Sequence, residues 1–132
     1  MLSDFEYQLL IYENIKYIYE NIDFEDIKKI DNNFRSEFLG DPFPRDIILE
    51  YIKYICFKID KNNFCNKDNI IYIIVTIYNL IIKYYVDVLI ANIDICKYYK
   101  LEIRKFNEIE FKILELIDYN FKCVDTSKWI EI

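Results

Sequence analysis

An all-α domain is what this sequence predicts, and three observations predict it. Apolar residues recur every three or four positions instead of every two, which is the period of a helix face. Residues that start and stop helices bracket the periodic runs. The length of 132 residues suits one domain, which at this size buries roughly 68–70% of the surface its unfolded chain exposes. Ile favours strands on propensity alone, but tertiary packing commonly overrides propensity, so the spacing decides.

Six helices follow along the chain. Ser3 and Glu6 have the spacing of a capping box, and Tyr7, Leu10, Ile11, Asn14, Ile15 and Ile18 continue at helical spacing, predicting a first helix over about residues 4–20. Asp23 caps a second, residues 24–38, in which Phe24, Ile27, Ile30 and Phe34 form an apolar stripe among Glu25, Asp26, Lys28, Lys29 and Asp31. Gly40 supplies a left-handed stop, and Asp41-Pro42-Phe43-Pro44 prevents continuation. A third helix, residues 45–60, places Ile48, Leu49, Ile52, Ile55, Cys56 and Ile59 on one side. A fourth begins at Asn66 or Asp68 and ends near residues 83–85. It is apolar nearly all round, as expected of a helix surrounded by others. A shorter helix over 87–99 and an amphipathic one over 101–117 complete the set.

Composition narrows the function. Hydrophobic residues make up 54% of the chain and charged residues 30%, which places it among folded globular domains. Ala91 and Gly40 are the sole Ala and Gly, and the bias toward Ile, Lys, Asn and Tyr reads as an AT-rich coding sequence, so abundant Tyr signals nothing functional. Net charge is −6 with no basic run, which argues against nucleic acid as a partner. The greasiest run, residues 70–82, is interrupted by Asn79 and stopped by Lys83. It falls short of the roughly 20 residues a bilayer requires, so no membrane partner is expected.

Cys56, Cys65, Cys96 and Cys123 form no C-x-x-C pair, and without His they complete no zinc site; four separate, reduced, largely buried thiols and no cofactor are expected. No secretory signal opens the chain, so a cytoplasmic or nuclear location is expected. The absence of His removes the commonest acid-base group, and one Gly cannot make a phosphate-cradling loop. Neighbouring carboxylates such as Glu108 and Glu110, or Glu13 and Glu20, read as solvated helix faces. An enzyme is not expected.

The stretch Phe106-Asn107-Glu108-Ile109-Glu110-Phe111-Lys112-Ile113-Leu114-Glu115-Leu116-Ile117-Asp118-Tyr119-Asn120-Phe121 resembles the fifth helix of a cyclin box. There the family shows an apolar residue and a Glu, an apolar pair, then a Leu, an aromatic and a final apolar residue. Asn69-Ile70-Ile71-Tyr72-Ile73-Ile74-Val75-Thr76, leading to Ile82-Lys83-Tyr84-Tyr85-Val86-Asp87, resembles the third helix of the phosphate-regulatory (P/U-type) single-box cyclins. The separation of Lys83 from Glu110 is similar to the family's, with Asn92 and Lys97 at familiar positions of the fourth helix. Two departures occur: Tyr54-Ile55-Cys56-Phe57 stands where the family usually reads Tyr-Ile-Asp-Arg, and Ile71-Tyr72 replaces a His-Arg pair.

The resemblance covers about residues 22–124, leaving an N-terminal helix (1–21) and a tail (125–132) outside the box. It implies a single cyclin-box-like five-helix bundle around a buried central helix, and a regulatory subunit that binds and activates a cyclin-dependent protein kinase by contact. It also implies a kinase interface in which Lys83 and Glu110 supply charge while Leu114, Tyr119 and Phe121 supply apolar contact. Two rivals are weighed against it. A virus-type helical Bcl-2-like inhibitor is also small and all-helical, and would take an amphipathic helix in a groove. A helical interaction scaffold with no kinase partner is the other. The chain lacks a Gly-Arg-type motif of the Bcl-2 class, which favours the cyclin reading.

Overall fold

The computed structural model describes residues 2–39, 45–61, 64–86 and 90–117. Within them the chain is all-helical. The elements are α1 (Asp4–Ile18), α2 (Phe24–Phe34, continued by a π-helical turn Arg35–Leu39), α3 (Arg45–Lys61), α4 (Ile70–Ile81, continued by a π-helical turn Ile82–Val86), α5 (Asn92–Tyr99) and α6 (Ile103–Leu116).

Local chemistry explains the boundaries. The capping box closes at α1, where the Glu6 N–H donates to Ser3 Oγ at 3.1 Å and the Ser3 N–H to Glu6 Oε1 at 3.4 Å. Asp23 accepts from the Glu25 N–H at 3.0 Å and starts α2. Before α4, Asn66 accepts from the N–H groups of Asp68 and Asn69 in an Asx turn, so the helix begins at Ile70 and not at Asn66 or Asp68. Three helices are shorter than their spacing predicts. α1 ends at Ile18 because Tyr19 is extended. α5 starts at Asn92 because Ala91 is extended, and the predicted 87–89 lie outside the described residues. α6 starts at Ile103 because Lys100 turns left-handed (φ 57°) and Glu102 is extended. Gly40 and the Pro42 and Pro44 stop also lie outside the described residues.

α4 is the central element. Ile73, Ile74, Ile77 and Leu80 are buried, and helices α3 and α6 pack against it. The predicted α3 stripe of Ile48, Leu49, Ile52, Ile55, Cys56 and Ile59 is buried throughout. Ile77→Ala is therefore expected to cost about 2–5 kcal/mol in a urea titration, the range for deleting a buried aliphatic side chain. Among the described residues no helix is long and apolar enough to cross a membrane.

α1 packs on α2 and α3 and shares their core through Tyr7, Ile11 and Ile15. A polar network pins it there. Asp31 of α2, read from the sequence as one of the charges alternating with the apolar stripe, is wholly buried (0% exposed). Its carboxylate accepts from Gln8 Nε2 at 2.9 Å, the Arg35 guanidinium at 2.8 Å and the Tyr78 hydroxyl at 2.6 Å, which joins α1, α2 and α4. Arg35 also donates to Asp4 at 2.9 Å, and Arg45 pairs with the same Asp4 while donating to the Leu2 carbonyl. Burial pushes the Tyr7 and Tyr78 phenols well above their ordinary value, with the Asp31 charge adding to it.

The three described thiols are free: Cys56 and Cys96 are buried and Cys65 is half-buried because it lies in the connection after α3, while Cys123 falls outside the described residues. Burial raises the Cys56 thiol far above its ordinary value and that of Cys65 to about 11. The thiolate is the nucleophile, so native protein at pH 7 is expected to react slowly with a thiol reagent, and unfolded protein fast. Rapid native labelling of Cys56 would show that α3 opens readily.

Candidate protein-interaction site

One end of α4, the start of α5 and the middle of α6 meet around a compact polar cluster. Lys83, in the π turn that ends α4, donates to Glu110 Oε2 of α6 at 2.9 Å and to Asn92 Oδ1 of α5 at 2.7 Å. One turn earlier, Asn79 Nδ2 donates to the same two oxygens, at 3.0 Å to Asn92 and 3.2 Å to Glu110. Asn92 Nδ2 donates in turn to Glu110 Oε1 at 3.2 Å and to Asn107 Oδ1 at 2.9 Å. The spacing on α4 makes this possible, since residues four apart share a helix face.

The two charges expected at an interface thus pair with each other. Their side chains are 22% and 16% exposed, so Glu110 is not the solvated carboxylate its sequence surroundings suggest. Charge-assisted hydrogen bonds in such a half-shielded place are stronger than those of an open surface pair. Cys96 of α5 lies close enough that its thiol, raised first by burial, is raised further by the Glu110 charge.

Three large apolar side chains, each following one of its members in sequence, are exposed. Tyr84 is 57% exposed, Ile93 45% and Phe111 57%. Sequence reasoning passed over all three because exposed apolar residues carry no periodic signal. Leu114, one turn beyond Glu110, is half-buried and packs against the core. Tyr119 and Phe121 lie outside the described residues. Of the five residues expected at an interface, Lys83 and Glu110 therefore come together, Leu114 lies beside them on α6, and two are not described. Asn79 and Asn107 were missed as partners; the signal for Asn79 was its interruption of the apolar run, four residues before Lys83.

The arrangement presents hydrogen-bonding groups that can bind a partner. Two of the three Lys83 N–H donors are spent on Asn92 and Glu110, leaving one for a partner, and the exposed Tyr84, Ile93 and Phe111 offer apolar area. The chain matches no known protein family, and no curated protein or solved structure matches it.

Proposed function

We propose that this chain is a cyclin-like regulatory subunit of cyclin-box fold that binds and activates a cyclin-dependent protein kinase, with the surface around Lys83 and Glu110 as its docking site. The observation that carries the reading is the Lys83–Glu110 pair itself, at 2.9 Å. Twenty-seven positions apart in sequence, the two residues singled out by the cyclin resemblance meet at one edge of the bundle. Supporting it are five consecutive helices, α2 to α6, packed with α4 at the centre, and the exposed Tyr84, Ile93 and Phe111, next in sequence to Lys83, Asn92 and Glu110.

The mechanism is differential binding. A surface that fits only the inward position of the kinase's mobile regulatory helix shifts that helix toward its active place, and the phosphoryl transfer stays with the kinase. Exposed aromatic and aliphatic side chains next in sequence to a partly desolvated charge pair supply groups for this, since a few anchors dominate interface energetics. The chain contributes contact and no chemistry of its own.

The test is direct. Purified protein is mixed with cyclin-dependent kinases, the phosphate-regulatory class among them, and assayed for a stable complex and for stimulated phosphorylation of a peptide substrate. Complex formation with at least one such kinase, and stimulation of it, is the expected result. No association with any member of the class would end the reading.

A further inference from the structure

We propose that Asn79 is the positioning residue of this surface: its buried amide sets the Glu110 carboxylate and the Asn92 amide in the places from which they hold Lys83 toward a partner. The inference rests on the kinase-binding reading above and names the group that prepares that site.

Asn79 is out of place by every stability criterion. Through α4 and into its π turn, Ile70 to Ile82, the chain is apolar apart from Thr76 and Asn79, and Asn79 is 0% exposed. A polar side chain at such a position costs free energy unless its groups find partners. Only half of this one does: Nδ2 donates to Asn92 and Glu110, while Oδ1 has no hydrogen-bond partner among the described residues. An apolar residue of similar size would remove that orphan acceptor at little cost, because Asn92 Oδ1 and Glu110 Oε2, the two acceptors it would give up, each keep the Lys83 donor.

What Asn79 supplies instead is geometry. Asn79 Nδ2 and Lys83 Nζ share both acceptors, so two nitrogens and two oxygens close a ring with distances of 2.7, 2.9, 3.0 and 3.2 Å. Lys and Glu side chains are long and lose much rotamer freedom when fixed. Asn79 is short and sits on the most deeply packed helix, so its amide is a rigid reference that the long side chains take up. Without it, Glu110 and Asn92 lose their inward donor and Lys83 loses the fixed pair of acceptors that aims it. Preorganisation of this kind raises affinity by removing ordering costs from the binding step.

Asn79→Leu tests the idea on the full chain. The expected result is a urea midpoint equal to or above that of the wild type, together with about tenfold weaker kinase binding. Faster solvent exchange of the Lys83 ammonium protons by NMR should accompany it. A merely structural Asn79 would lower stability and affinity in parallel, and that outcome overturns the role, as does affinity within twofold of wild type. Should Leu overpack the site and prevent folding, Asn79→Ala is measured in the same way. Wild-type protein that binds no kinase refutes the docking reading alone; the NMR comparison then still decides, and unchanged Lys83 exchange in the variant overturns the positioning role.

Discussion

Asp31→Ala is expected to destabilise the domain by about 3–5 kcal/mol, the cost of breaking a buried ion pair from one side. That is a large share of the roughly 5–15 kcal/mol that holds an ordinary domain together. The loss has three parts. The Arg35 guanidinium keeps its contact with Asp4 but loses its 2.8 Å partner, the Tyr78 hydroxyl loses its acceptor at 2.6 Å, and Gln8 retains only Asn32 at 2.8 Å. Asp31 is 0% exposed, so bulk solvent does not reach the donors it leaves behind. Asp31→Asn should cost less, since its amide oxygen in the place of Oδ2 still accepts from Gln8 and Arg35. Its NH2 group in the place of Oδ1 meets the Tyr78 hydroxyl, which can accept as well as donate, so that the lost negative charge is the main cost. A urea titration of both variants checks the order. A loss below about 1 kcal/mol for Asp31→Ala would mean that solvent reaches the network and that α1 is not locked by it.

The two polar networks mark the limit of what the sequence shows. The helices were legible because their apolar stripes repeat at the helical period, and the boundaries moved where local backbone or turn chemistry intervened, such as the left-handed Lys100 before α6 and the Asx turn at Asn66 before α4. Asp31 was misread because, among Glu25, Asp26, Lys28 and Lys29, it looks like one more surface charge. Its position said otherwise: it is four residues after Ile27 and three before Phe34, on the buried face of α2. What no spacing in one helix reveals is that Gln8 and Tyr78, 23 and 47 positions away, bring the matching donors. Lys83 and Glu110 were legible as a pair only through the resemblance to cyclins. That they bond to each other, with Asn79 beneath them, depends on how α4, α5 and α6 pack.

Reversing both charges of that pair, Lys83→Glu with Glu110→Lys, is expected to abolish kinase association while leaving the fold nearly intact. The single reversals should not be so clean. Lys83→Glu alone sets a second carboxylate where the ammonium lay 2.9 Å from Glu110 and 2.7 Å from the Asn92 oxygen, so three acceptors face one another and folding loses about 1–3 kcal/mol. The double variant repairs this. Opposite charges again face each other across α4 and α6, and the surrounding groups are Asn side chains, whose oxygen and NH2 ends are nearly equal in shape and exchange by a half-turn. Asn79 then accepts from the new Lys through its oxygen, while Asn92 and Asn107 turn over together and keep their bond. The variant should thus melt within a few degrees of wild type, the two changes being strongly non-additive because the residues touch. A partner sees the opposite: a cation has become an anion and an anion a cation at the docking site. Mismatched charges in a partly desolvated interface cost about 2–5 kcal/mol, which removes more than about 90% of binding at a concentration near Kd. Circular dichroism, a melting curve and a binding titration of the three variants separate the outcomes. Kinase binding that survives the double reversal with the fold intact removes the site from these residues, and a double variant that unfolds shows the pair to be structural, with the interface elsewhere on the domain.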